Sequence, residues 1–143
     1  MIAIDSNVLI AAHRGEHPLH AVALTRLVET AEGDLPWALP IFCLGEFLRV
    51  VTHPRVFSPP STLEVAIEFI EQLVRSPSMR LLGAGPGYWN HLCAAVMAAK
   101  ATGNLVFDAQ IAAVCIEHGI ERILTEDRDF ARFTQLHVER LVS

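Results

Sequence analysis

Apolar residues along this chain fall into short unbroken runs that alternate with longer stretches of helical spacing. Met1-Ile-Ala-Ile-Asp5 is apolar up to an acid, the pattern of a short buried strand ending at Asp5. Asp5-Ser6-Asn7 is a run of helix-capping residues ahead of Val8-Leu9-Ile10-Ala11-Ala12, so a helix should follow at once. A second helix is expected over about 19–31, after His17-Pro18, and Gly33-Asp34 breaks it. Leu35-Pro-Trp-Ala-Leu39 reads as a second strand, and Pro40 suits the first turn of a helix running to about Val51, where His53-Pro54 stops it. Further on, a helix near 62–74, a strand near 79–82, a Gly83-Ala-Gly-Pro-Gly87 turn and a helix near 88–101 are predicted, ending at Gly103-Asn104. The last third predicts a helix over 108–118 closed by Gly119, a strand at 121–124, a polar turn from Thr125 to Asp129, a helical piece at 130–133 and a small strand at 136–139. Five short strands separated by helices favour an α/β domain with a mostly parallel sheet, and without repeat or linker residues 1–143 read as one domain.

Composition agrees with a packed domain and removes several classes of function. Hydrophobic residues make up 52% of the 143 against 19% charged, which gives enough apolar surface to offset the entropy of ordering. No apolar run approaches the roughly 18–20 residues that cross a bilayer, and the start lacks a basic segment, so a soluble cytoplasmic protein is expected. Cys43, Cys93 and Cys115 are odd in number, far apart and set in apolar segments, which suggests neither a disulfide framework nor a zinc knuckle. A net charge of −5 argues against an all-over basic nucleic-acid binder. Of the 11 basic residues 10 are arginine, whose planar fork suits phosphate or carboxylate.

The acids carry the chemistry. Four of the 5 aspartates, Asp5, Asp108, Asp127 and Asp129, fall at predicted strand ends or helix starts, where sites form in a parallel α/β sheet. Taken singly, Asp5 and Asp108 serve equally as helix N-caps, and the acids of the Thr125–Asp129 turn as a solvated turn. Glu46 is harder to dismiss, because Phe42, Cys43 and Val50 share its helix face; either Arg49 pairs with it or it belongs to a site. Converging at one sheet edge, these acids would repel. Two like charges about 4 Å apart at an effective dielectric near 20 cost about 4 kcal/mol, more than the ~1 kcal/mol a cap returns. Carboxylate oxygens alone select hard divalent ions, Mg²⁺ or Mn²⁺, and with them metal-assisted phosphoryl chemistry.

Met1-Ile-Ala-Ile-Asp-Ser-Asn-Val-Leu-Ile10, Glu46-Phe-Leu-Arg-Val-Val-Thr-His-Pro54, Gly103-Asn-Leu-Val-Phe-Asp-Ala-Gln110 and Leu124-Thr-Glu-Asp-Arg-Asp-Phe130, in this order, resemble the PIN-domain ribonucleases, and within them the VapC-type toxins of bacterial toxin–antitoxin pairs. The resemblance implies a three-layer α/β/α sandwich and an acidic pocket for Mg²⁺ or Mn²⁺. It also implies hydrolysis of RNA phosphodiester bonds by a metal-activated water, leaving a 5′-phosphate and a 3′-hydroxyl. On matching positions Asp5, Glu46, Asp108 and Asp127 are the four core catalytic and metal-binding acids, with Asp129 accessory; no role passes to Glu126. Ser6 would orient Asp5 or a bound water, while Asn7 and Asn104 either support the site or cap helices. Family membership would also bring a homodimer and a VapB-like antitoxin covering apolar grooves and the acidic pocket.

Arginines such as Arg14, Arg49 and Arg55 either position phosphates or are solvated surface residues. His13, His17 and His20 have ligand-like spacing, but Pro18 interrupts a shared helix; Gly83–Gly87 lacks the Lys-Ser/Thr of a phosphate loop. Trp37, Trp89, Phe42, Phe47, Phe57 and Phe69 are assigned to the core or an interface, and Met79 and Met97 to core filling. Against the nuclease stands a non-catalytic RNA- or protein-binding module on the same fold, its acids kept as caps. A metal-dependent phosphatase or a phospho-acceptor domain fits less well, since the first strand ends Asp-Ser-Asn and the late strand end has no lysine.

Overall fold

Five strands of three or four residues pair into one sheet in the computed structural model, which describes residues 1–142. They are β1 (Ile2–Ile4), β2 (Trp37–Pro40), β3 (Met79–Leu82), β4 (Arg122–Leu124) and β5 (His137–Glu139), in the order β3-β2-β1-β4-β5. Every pairing is parallel, with Ala3 opposite both Ala38 and Ile123. Between them run α1 (Ser6–His13), α2 (His20–Glu32), α3 (Ile41–Val51), α4 (Leu63–Val74), α5 (Tyr88–Ala99), α6 (Leu105–Glu117) and a 3₁₀ helix, Arg128–Arg132. Parallel strands need covered faces, and the central strands show it: Ala3, Ile4, Trp37, Ala38, Leu39, Ile123 and Leu124 are all fully buried.

The strand order places the site. Right-handed crossovers from β1 to β2 to β3 put α1–α4 over one face; the return from β3 to β4 puts α5 and α6 over the other. Accordingly α1 packs on α2 and α3, while α5 packs on α6 and α6 on the 3₁₀ helix. β1 and β4 are neighbours whose connections leave to opposite faces, and a crevice opens at such a switch point beyond the strands' carboxyl ends. Asp5 sits there, its N–H donating to the carbonyl of Leu124 at 3.1 Å.

Some boundaries differ from expectation for identifiable reasons. β2 begins at Trp37 because Leu35 is 82% exposed and Pro36 has no N–H to give a ladder. Pro40 pairs with Leu82 as the last residue of β2 and stands before α3 instead of in its first turn. α6 starts at Leu105, not 108, because turn bonds from Leu105, Val106 and Phe107 back to Thr102, Gly103 and Asn104 wind the chain early. Gly103, at φ 58, supplies the left-handed residue that this winding needs. Trp37 and Phe47 lie in the core, but Trp89 and Met97 stand out on α5, 67% and 77% exposed, so Met97 fills no core. No helix among the described residues is long and apolar enough to cross a membrane.

Candidate active site

Asp5 ends β1 in extended conformation and caps α1, accepting the Ser6 N–H on Oδ1 at 2.7 Å. The Ser6 hydroxyl is farther from the same oxygen, at 3.5 Å, and the Cys43 thiol lies 3.6 Å from it. Oδ2 accepts from the Thr125 hydroxyl at 2.8 Å and from Asn7 Nδ2 at 3.1 Å. The carboxyl is 4% exposed, and burial pushes its pKa up to about 6 against the opposing pull of Thr125 and Ser6, with the Glu46 charge adding to the rise.

Thr125, fully buried, joins the two strand ends. Besides donating to Asp5, its hydroxyl oxygen accepts from Asn7 Nδ2 at 2.9 Å and from the Asp127 N–H at 3.0 Å. Asn7 closes the loop by accepting the Glu126 N–H at 3.2 Å. Glu126 itself points elsewhere, held by Arg140 at 2.9 Å and by the Leu141 N–H at 2.6 Å. Asp127 caps the 3₁₀ helix through the Asp129 N–H at 2.9 Å, which turns both aspartates toward one side.

That side is a cleft of about 490 Å³ lined by Glu46, Arg49, Asn104, Leu105, Phe107, Asp108, Asp127 and Asp129. Asp108, Asp127 and Asp129 each bring a carboxylate oxygen to within 4.8 Å of the others. Asp108 is the fourth residue of α6 and so lies inside the helix, where it caps nothing. Burial raises its pKa to about 7, and the charges of Asp127, Asp5, Glu46 and Asp129 push the same way. Among the described residues no group donates a hydrogen bond to the carboxylate of Asp108 or Glu46, and neither forms an ion pair. Arg49 therefore does not neutralise Glu46; it borders the same cleft. A cluster of carboxylates in which Asp108, Asp127 and Glu46 are partly buried and Asp129 exposed, all oxygen and all hard, fits a divalent cation.

The structure brings together Glu46, Asp108, Asp127 and Asp129 and buries Asp5 beside them. Asp129, expected as an accessory, contributes to the closest group of oxygens; Asp5, expected at the centre, sits back among hydrogen-bond donors. Asn7 supports the site and does not merely cap a helix, whereas Asn104 lines the cleft and its side chain makes no capping bond. Thr125 is the residue that sequence reasoning missed. Its one signal was a hydroxyl residue directly after a predicted strand beside the acids. Arg14 is not available for phosphates: it bonds Glu16, Ser61 and the Pro59 carbonyl and stacks over Phe57 at 4.5 Å. The three histidines point to separate partners, His13 to Ser61, His17 to the Leu19 N–H and His20 to the Ala11 carbonyl.

Comparison with known proteins gives the family and the fold. Residues 2–136 match the model of the PIN domain. The ribonuclease VapC31 of Mycobacterium tuberculosis (strain CDC 1551 / Oshkosh) is 35% identical over 136 residues, 95% of each chain. Among solved structures, VapBC2 of Rickettsia felis bound to a promoter DNA fragment superposes with a TM-score of 0.70 at 17% identity, covering 98% of both chains. VapC20 of Mycobacterium tuberculosis, a toxin that cleaves the sarcin–ricin loop, superposes with a TM-score of 0.68 at 19% identity, covering 92% of this chain and 93% of that one.

Proposed function

The chain belongs to the PIN domain family, in its VapC group, and from that premise we propose that it is a divalent-metal-dependent endoribonuclease held in check by a VapB-like antitoxin. The observation that carries the reading is the convergence of Asp108, Asp127 and Asp129, with Glu46 in the same cleft, at the switch point of a parallel sheet. Caps alone would not assemble it, since Asp108 lies within a helix and the cluster costs repulsion.

Asp108, Asp127 and Asp129 would hold Mg²⁺ or Mn²⁺, with Glu46 facing the same space and Asp5 adding a buried charge behind them. A cation bound there supplies Lewis acidity at phosphorus and lowers the pKa of its water. The chain's own residues do the rest. Thr125 and Asn7 fix Asp5, and Thr125 also fixes the Asp127 backbone, so the acids are placed before substrate arrives. Arg49, free of carboxylate partners among the described residues, offers its guanidinium to a phosphate of the RNA. In the hydrolysis a water oxygen bonds to phosphorus as a cleft carboxylate takes one of its protons, the P–O3′ bond breaks with its electron pair leaving on O3′, and O3′ takes a proton from solvent water. The products carry a 5′-phosphate and a 3′-hydroxyl. A homodimer is the assembly the family leads us to expect.

The test is cleavage of total cellular RNA by the purified chain in Mg²⁺, Mn²⁺ or EDTA, beside an Asp5→Asn/Asp108→Asn double variant. Discrete fragments that need metal and vanish in the variant support the nuclease. A folded, antitoxin-free protein that cuts nothing in either metal returns the acids to a structural role.

A further inference from the structure

Phe107 stands apart from the other six phenylalanines. Phe47, Phe130 and Phe133 are buried and Phe42, Phe57 and Phe69 half-buried, yet Phe107 leaves 61% of its surface in water. It does so on α6, a helix whose Ala109, Ile111, Ala112, Ala113, Val114 and Cys115 all lie in the interior. Nor is it on a remote patch, because Phe107 lines the same acidic cleft as its chain neighbour Asp108 and Arg49.

Resting on the ribonuclease reading, we propose that Phe107 is the platform on which a base of single-stranded RNA stacks, next to the phosphodiester that is cut. The charge balance favours such a contact. A chain of net charge −5, with Glu46 and three aspartates lining the cleft, gains nothing from bulk electrostatics toward a polyanion. Arg49, and a cation held by the aspartates, would address phosphates, which leaves binding of the base to a group that works without charge. Stacking on an aromatic face serves every base, and single-stranded loops splay their bases out for it. A duplex keeps its bases stacked inside and has nothing to give this ring. Phe107 thus selects for unpaired RNA at the cleft, and it is a substrate-positioning residue with no part in bond breaking.

The experiment compares the full chain with Phe107→Ala, Phe107→Leu and Phe107→Tyr on a short single-stranded RNA that the wild type cuts, in Mn²⁺. The expected result is a KM at least 10-fold higher for the alanine and leucine variants, with kcat within about 3-fold and Tyr restoring KM. An abasic nucleotide beside the cut site should raise the wild-type KM equally and leave Phe107→Ala unaffected. Leucine matching wild type would overturn the proposal, because apolar bulk and not the ring would then matter. A Phe107→Ala chain that changes its oligomeric state by light scattering, with KM rising only in proportion, would overturn it in favour of an interface between copies. Binding of a labelled oligonucleotide to Asp5→Asn and to Asp5→Asn/Phe107→Ala, by fluorescence anisotropy in Mg²⁺, separates this claim from the nuclease reading. Weaker binding by the double variant supports stacking even if the wild type cuts nothing, and equal binding refutes it.

Discussion

Replacing Asp108 by Asn isolates the repulsion at the centre of the cleft. Asp108 titrates at about 7 in the metal-free protein against an ordinary 3.8, first through burial and then through Asp127, Asp5, Glu46 and Asp129. At about 1.4 kcal/mol per pH unit that shift would amount to about 4 kcal/mol for a fully buried group. Asp108 is half-exposed, so solvent screening cuts the penalty to about 1–2 kcal/mol. The sign follows from proton binding. Between about pH 4 and 7 the folded chain keeps a proton that the unfolded chain has lost, so stability falls as pH rises through that window. Above pH 7 the whole penalty is present, and Asn removes it without losing a hydrogen bond, since the carboxylate accepts none among the described residues. Urea unfolding in EDTA should therefore show Asp108→Asn more stable than wild type by about 1–2 kcal/mol at pH 8, with the gap narrowing at pH 6 and gone near pH 4. Added Mg²⁺ should reverse the order, because a ligand present at 100 times its Kd stabilises the wild type by about 2.7 kcal/mol. An Asp108→Asn chain less stable by ~1 kcal/mol at every pH, with or without metal, would mean that Asp108 is structural and would sink the argument.

Thr125→Val keeps the shape but leaves the buried Asp5 short of a donor and the Asp127 N–H without its acceptor; chemical denaturation should register a loss of about 2 kcal/mol, Thr125→Ser should keep most of it, and an unchanged midpoint would remove Thr125 from the site. The two raised acids, Asp5 near 6 and Asp108 near 7, must give up protons to bind a cation, so Mn²⁺ affinity measured calorimetrically should climb steeply from pH 5.5 to 7.5 with proton release; flat affinity across that range would place the ion elsewhere.

Much of the fold was legible because each strand is a short apolar run and each helix has a breaker or cap behind it. Strand order was not, since nothing in a run such as Arg122–Leu124 says that it lies beside Ile2–Ile4 and not beside Met79–Leu82. The start of α6 escaped because no side chain caps it. Among the acids, Asp5, Glu46, Asp108 and Asp127 could be singled out from strand ends and an apolar helix face, but which oxygens meet depends on tertiary packing. Packing brings an oxygen of Asp129 within 4.8 Å of those of Asp108 and Asp127, while Asp5 is buried among donors. Thr125 and Arg14 illustrate the limit: the first acts through Asp5, 120 positions away, and the second spends its guanidinium on Ser61 and Pro59, 47 and 45 positions away.

The central claim is that these carboxylates exist to hold a divalent cation, and anomalous diffraction from crystals grown with Mn²⁺ tests it most directly. The account predicts an anomalous peak bounded by the carboxylates of Asp108, Asp127 and Asp129, absent from the Asp108→Asn crystal grown in the same Mn²⁺ concentration. A wild-type crystal with an empty cleft at saturating Mn²⁺, or a peak that persists without the Asp108 charge, would contradict it.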